Sequence, residues 1–328
     1  MGPWHITGVT LAYRAVESQL PPREPMKVLD LTGQRISDRY VVKKTLGYGG
    51  MGAVYLVYDE RRLRDVALKV LHDKHRDHDW IVARFAREVD VLRTLEHPNV
   101  VDLVDAGHDG RMLYYTMEYI KGYNLREWMY LQKEMDFGSV VHILCLTAKG
   151  LNYVHRRYIH RDIAPENVMV CKDGTVKVID FGLARKNVCD EGLTIIGTNL
   201  GRTEYNSPEQ ERNAAMADFR ADIYPLGKML YEMMTGDLPA RGASMESLAA
   251  DLPPGCLPFL QRTLSSDPQR RYGSAAEAGA ALLAIYQATQ TTSTSKPSLT
   301  SQAPVASGET LWARLMGAAR KLFRRKAA

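Results

Sequence analysis

From Tyr40 onward, apolar and polar residues alternate in three short runs: Tyr40-Val41-Val42, Ala53 to Tyr58, and Asp65 to Leu71. Side chains two apart share a face of a strand, so the runs predict three strands joined by short turns in a twisted antiparallel sheet. The period then changes. Phe85, Val89, Leu92 and Leu95 recur at helical spacing, which predicts an amphipathic helix ending before His97-Pro98-Asn99, where proline stops it. Strands return between Val100 and Met117, and beyond the Lys121-Gly122 turn the pattern is mainly helical to about Tyr286, with loops set between Ile159 and Gly182. Sheet first and helices second is an α+β order.

The ends follow other rules. Residues 1–35 carry Pro21-Pro22 and Pro25 without a sustained period and are expected to form a poorly ordered or irregular arm. Residues 287–308 are rich in Thr and Ser, from Thr289 to Ser295, with Pro297 and Pro304, the composition of a linker. In 309–328, Leu311, Trp312, Leu315, Met316, Ala319, Leu322 and Phe323 fall on one helical face with cations mostly opposite. The block between, 36–286, divides near residue 120 into a small and a large lobe. No internal repeat is visible.

At 328 residues, 45% hydrophobic and 25% charged, the chain suits one two-lobed domain of about 250 residues with tails. Cys145, Cys171, Cys189 and Cys256 are scattered without a C-x-x-C pair, so neither a disulfide framework nor a zinc site is suggested. With no apolar run of about 18 residues and no signal-like start, a cytoplasmic setting is expected. The net charge of +5 is accounted for by the tail, because six Lys or Arg and no acid follow Leu311. A nearly neutral body gives no reason to expect a nucleic-acid partner.

Candidate chemistry sits in four motifs in order: the glycine-rich stretch Leu46-Gly47-Tyr48-Gly49-Gly50-Met51-Gly52-Ala53-Val54, then Val66-Ala67-Leu68-Lys69, His160-Arg161-Asp162, and Asp180-Phe181-Gly182. A lone G-x-G-x-x-G is weak, since dinucleotide-binding folds share it. The ordered set resembles the protein kinases. Gly49-Gly50-Met51-Gly52 and Ser207-Pro208-Glu209-Gln210 are similar to the bacterial Ser/Thr branch.

Glycines at 47, 49 and 52 let a hairpin close over a nucleotide with backbone N–H groups near phosphate oxygens. Strand periodicity puts Ala67 and Lys69 on one face and Val66, Leu68 and Val70 on the other. The resemblance implies that Lys69 meets the α and β phosphates of ATP, that Ala67 and Val54 cover the adenine, and that Met169 closes it from below. Met117 takes the gatekeeper place, with backbone groups of Glu118 and Tyr119 presented to adenine. Glu88, on the edge of the apolar helix stripe, is the expected partner of Lys69; Glu96 is the rival, beside the helix-ending His97-Pro98. Asp162 is implied as the group that accepts the substrate proton, and Asn167 and Asp180 as ligands of Mg²⁺, with Mn²⁺ an alternative ion. His160 and Phe181 are expected to pack with Leu92 and Leu103 between the lobes. Glu209 is expected to pair with Arg271, and Asp222 to brace the catalytic loop. Arg161 suggests control by phosphorylation of Thr194 or Thr198, with Thr203 a weaker choice.

Two positions depart from the family. Ala164 stands where Ser/Thr kinases carry Lys, and Glu166 where tyrosine kinases carry a compensating Arg. Arg202 stands where the family places Thr. Either Arg202 partly replaces the lost cation, or Gly197-Thr198 is the true family pair followed by an insertion. The resemblance therefore implies a two-lobed α+β kinase fold and an ATP-dependent Ser/Thr protein kinase acting on a protein substrate. A weakly active or inactive nucleotide-binding module is the alternative. The basic C-terminal helix suits an anionic membrane surface at the inner face of the membrane, or a docking partner.

Overall fold

The computed structural model describes residues 30–132, 135–186, 204–240 and 242–294. Strands β1 (Arg35–Ile36), β2 (Tyr40–Tyr48), β3 (Gly52–Asp59), β4 (Arg64–Leu71), β5 (Leu103–Asp109) and β6 (Met112–Glu118) form one antiparallel sheet in the order β1-β2-β3-β4-β6-β5. Helix α1 (Asp79–Leu92) enters between β4 and β5. The period-two reading of β4 holds: Val66, Leu68 and Val70 join Tyr40, Tyr55 and Val57 in a core on one face of the sheet. On the other face Lys69 turns toward α1, whose Ile81, Phe85 and Val89 pack with Leu71 and Tyr115. Any side chain at Gly52 would strike the Val70 carbonyl, so the turn into β3 requires glycine.

Residues 30–35, expected in the arm, belong to the small lobe. Leu31 is buried, and Gly33 and Val42 exchange bonds with Val42 and Gln34 at 2.9 Å. One buried leucine and one turn leave no periodic signal in the sequence. Residues 1–29 lie outside the described residues.

The large lobe contains α2 (Leu125–Leu131), α3 (Phe137–Val154), α4 (Pro208–Asn213), α5 (Tyr224–Thr235), α6 (Met245–Ala250), α7 (Cys256–Thr263) and α8 (Ala275–Thr294). Asn124 and Glu127 cap α2 reciprocally, and Asp136 caps α3 by accepting from the Ser139 amide at 2.9 Å. Pro225 lies in the first turn of α5, where a missing N–H costs no intrahelical bond. Short strands carry the loops of interest: β7 (Gly122–Asn124), β9 (Val168–Cys171) and β10 (Val176–Val178) pair in the order β10-β9-β7, and β8 (Tyr158–Ile159) pairs with β11 (Arg185–Lys186).

Helix α8 corrects the predicted boundary at Tyr286, because residues 287–294 are helical rather than linker. The Thr289 and Thr291 hydroxyls donate back to the carbonyls of Tyr286 and Ala288 at 2.7 and 2.9 Å, so a Thr-rich sequence satisfies its hydroxyls without leaving the helix. The remainder of the linker and the basic segment 309–328 lie outside the described residues.

The segment after α1 is fastened to the large lobe. The Asn99 carbonyl accepts from Val178 N–H at 2.9 Å, its side-chain amide donates to Val176 O at 2.8 Å, and Val100 bridges Val178. Gly150 of α3 lies under Asn99, where a Cβ would be 2.5 Å from the Asn99 carbonyl.

Candidate active site

The four motifs meet in the cleft between the lobes. Lys69 Nζ donates to both Glu88 oxygens at 2.8 and 3.0 Å and lies 3.6 Å from Asp180 Oδ1. Glu88 is fully buried and also accepts from the Tyr115 hydroxyl at 2.7 Å. Burial pushes the Glu88 pKa up against the opposing pull of Lys69. Burial works to lower the Lys69 pKa, but Asp180 and Glu88 outweigh it and raise it, so the cation persists at neutral pH. Glu96 lies past the end of α1, its amide donating to Tyr153 Oη at 3.1 Å, which leaves Glu88 as the partner.

Asp180 keeps 42% of its side chain accessible while its oxygen accepts from the Gly182 amide at 3.2 Å. Burial opposes its ionisation, yet Lys69 and the Gly182 N–H prevail, and its pKa falls to about 2. Next to it, with Ile179 N–H on Asn167 O at 2.9 Å, the Asn167 side-chain amide donates to Asp162 O at 2.7 Å and to Asp162 Oδ2 at 3.1 Å, leaving Asn167 Oδ1 as its acceptor. His160 packs edge-on against the fully buried Phe181, ring centroids 4.8 Å apart. Leu92 and Leu103 belong to the same core cluster.

Arg161 and Asp180 both adopt left-handed backbone conformations, φ 67° and 64°. Such residues cost about 1–3 kcal/mol each and need support from their surroundings. Asp222 supplies it at the first: its carboxylate accepts from the His160 and Arg161 amides, both at 2.7 Å, and bonds His155 Nε2 at 2.9 Å. Burial opposes ionisation of Asp222, but the His155 bond and charge hold its pKa below the ordinary value. Glu209 and Arg271 form the expected pair, at 2.6 and 2.7 Å.

The glycine-rich hairpin, Leu46 to Val54, runs from β2 to β3, with Leu46 and Tyr48 exposed at its start. Val54 is opposite Lys69, and Ala67 opposite Met117, in the sheet register. Met169 lies on β9, which pairs with β7 just beyond Tyr119. The Glu118 amide donates to Asp102 O at 3.0 Å, which leaves its carbonyl as the backbone group to offer, and its side chain is held by Lys177. Arg202, Thr194, Thr198 and Thr203 lie outside the described residues.

Ala164, at the start of the 3-10 turn Pro165–Asn167, is buried. The nearest feature the motifs did not reveal is Arg126 on α2. It bonds Glu166 Oε1 at 3.1 Å, Tyr205 Oη at 2.6 Å and the Glu232 carboxylate, which in turn accepts from Tyr205. A cation thus stands near the catalytic loop, but two carboxylates hold it.

The sequence from residue 40 to residue 281 matches the protein kinase domain. The chain belongs to the protein kinase family. The chain is 36% identical over 279 residues to the serine/threonine-protein kinase PknB of Mycolicibacterium smegmatis, covering 78% of this chain and 44% of that one. It is 36% identical over 242 residues to PrkC of Bacillus subtilis, covering 73% and 37%. The chain therefore spans less than half the length of these curated relatives. Among solved structures, the kinase domain of Mycobacterium tuberculosis PknI superposes with a TM-score of 0.62 at 28% identity, over 77% of this chain and 98% of that one. The two-lobed α+β fold is that of the family.

Proposed function

We propose that this kinase transfers the γ-phosphate of ATP to Ser or Thr hydroxyls of protein substrates. The observation that carries the reading is the formed Lys69–Glu88 pair beside Asp180, whose neighbour Ile179 bonds Asn167 O at 2.9 Å next to the Asp162–Asn167 pair. Inactive arrangements separate these groups; here they stand assembled.

The residues fit a magnesium ion. Asp180 is an accessible, ionised carboxylate and Asn167 offers an amide oxygen, both hard donors. Among the described residues no cluster of three or more His, Cys, Asp or Glu could hold a metal alone. A site with two protein ligands that leaves the others to phosphates and water suits Mg²⁺, or Mn²⁺, over an all-protein cage. Bound Mg²⁺ would neutralise charge on the transferring phosphate. Lys69 orients the α and β phosphates. Asp162, held by Asn167, orients the acceptor hydroxyl and takes its proton. The hinge carbonyl of Glu118, with Tyr119, Ala67, Val54 and Met169, encloses the adenine.

One observation favours a second reading, a nucleotide-binding module with weak transfer. The position two residues after Asp162 holds the buried Ala164 instead of Lys, and Arg126 is committed to Glu166 and Glu232. Arg202 is the remaining candidate to supply the cation.

Activation-segment autophosphorylation is part of the proposal. Burial and then Arg185 hold the Arg161 pKa below its ordinary value, with Arg87 adding to the effect against Asp222. A phosphate on Thr194 or Thr198 would relieve that crowding of cations. The expected setting is cytoplasmic, with segment 309–328 meeting an anionic membrane surface or a partner protein; no described helix is long and apolar enough to cross a membrane.

The test is intact-mass and phosphosite analysis after incubation with ATP and Mg²⁺, with Asp162→Asn beside the wild type and a casein-like acceptor. Phosphate on the acceptor or on Thr194 or Thr198, only with Asp162 intact, is expected. ATP binding without any added mass would establish the binding module instead.

A further inference from the structure

The connection between β4 and α1 carries His72, His75 and His78 at three-residue intervals. Asp73–His75 form a 3-10 turn, and the His75 and His78 amides donate to the carbonyls three residues back at 2.9 and 3.1 Å. His72 precedes the turn in an extended conformation and His75 closes it, and both rings reach the glycine-rich hairpin.

Three consecutive carbonyls of that hairpin are bound there. His72 Nε2 lies 3.3 Å from Gly49 O, His75 Nε2 lies 2.8 Å from Gly50 O, and the His72 amide donates to Met51 O at 3.0 Å. A carbonyl can only accept, so Nε2 carries the proton in both rings. His75 Nδ1 is enclosed without a hydrogen-bond partner, which leaves Nε2 as that ring's polar contact.

A planar trans peptide directs its N–H opposite to its C=O, and none of the described peptide bonds is cis. Fixing the carbonyls of Gly49, Gly50 and Met51 on the histidine side therefore turns the amides of Gly50, Met51 and Gly52 away from it. The Gly49 amide is already spent on Gly52 O at 2.8 Å. The hairpin tip lies over the metal-binding corner: a Cβ on Gly182 would be 3.3 Å from Met51 Cε and 3.2 Å from Asp180 Oδ1.

We infer that His72 and His75 are positioning residues that clasp the hairpin by its carbonyls and thereby aim three successive amides at the phosphates of ATP. Successive amides converging on one point form an anion-binding nest. The inference rests on the reading of the cleft as an ATP site. It assigns work to two side chains that never touch the nucleotide.

The experiment is calorimetry on the full chain with Mg²⁺ and a non-hydrolysable ATP analogue, and separately with adenosine. The proteins are wild type, His72→Ala, His75→Ala, the double variant, and His75→Gln, whose terminal amide restores the donor. Loss of one or two hydrogen bonds predicts about 5- to 30-fold weaker analogue binding. Adenosine, which lacks phosphates, should bind within about twofold throughout. His75→Gln should recover most of the lost affinity. Equal weakening for analogue and adenosine, or no weakening for either, would overturn the inference while leaving the ATP site standing. A wild-type protein that binds neither ligand would overturn both. If the double variant does not fold, the single variants decide by the same comparison.

Discussion

Arg271→Ala should lower the melting temperature of the domain by many degrees. The Arg271 side chain is fully enclosed, and it donates to both oxygens of Glu209, to Ser265 O at 3.0 Å and to Arg220 O at 2.9 Å. Its guanidinium also sits over the Tyr224 ring, 5.0 Å from the centroid. Truncation leaves a carboxylate that is only 16% exposed and takes the Arg271 donor from Ser265 O, while Arg220 O keeps the Ile223 N–H at 3.1 Å. Breaking a buried pair from one side costs about 3–5 kcal/mol. In a domain of this size each kcal/mol moves the midpoint by about 2–4 °C, so the expected drop is roughly 6–20 °C. Glu209→Ala should cost less, because Arg271 would keep the Ser265 and Arg220 carbonyls. The sign with pH is also fixed: burial opposes ionisation of Glu209, but its bonds to Arg271 lower its pKa. A depressed carboxylate contributes fully above its unfolded pKa and loses that contribution as pH falls through the folded value, so acid should narrow the gap between variant and wild type. The assay is a circular-dichroism melt without nucleotide. A midpoint within about 2 °C of wild type would refute the reasoning.

Two further outcomes are expected. Gly150→Ala should destabilise by about 1–3 kcal/mol in urea unfolding, because its methyl must displace the Asn99 carbonyl 2.5 Å away; an unchanged midpoint would mean the contact yields freely. Asp222 is held below its ordinary pKa of 3.8 and Asp180 at about 2, so the stability they contribute should be complete above about pH 5 and fade between about pH 4 and 2. Asp222→Asn should flatten that acid loss when urea midpoints are followed against pH, and a wild-type midpoint already falling between pH 7 and 6 would count against it.

The parts of the fold written in periodic patterns were legible beforehand. Tyr40–Val42, Ala53–Tyr58 and Asp65–Leu71 lie within β2, β3 and β4, because alternation in a half-buried sheet follows directly from the pleat. Glu88 was separable from Glu96 because proline fixes where α1 can end. Boundaries lacking such punctuation were not readable. Leu31 docks through one side chain, and the threonines after Tyr286 satisfy their own hydroxyls, so composition misplaced both edges. The Arg126–Glu166–Glu232–Tyr205 network joins four stretches of chain far apart in sequence, a relation that spacing cannot express. The histidines at 72 and 75 did leave a signal, a three-residue interval just after the lysine strand. It was invisible to motif matching because their targets are backbone carbonyls.

Because the chain after α1 is fastened to the large lobe through Asn99 and Val100, a rocking of the small lobe about that attachment would turn α1 about its C-terminal end. At 1.5 Å per residue, Glu88 lies only about 6 Å from Leu92, whereas Asp79 lies about 20 Å away. A rotation of roughly 5° then shifts Glu88 by about 0.5 Å and Asp79 by about 1.7 Å. The carboxylate that holds Lys69 sits near the fulcrum and the histidine turn at the far end of the lever. A rotation about that end would therefore displace the ion pair less than the histidine turn that holds the glycine-rich hairpin.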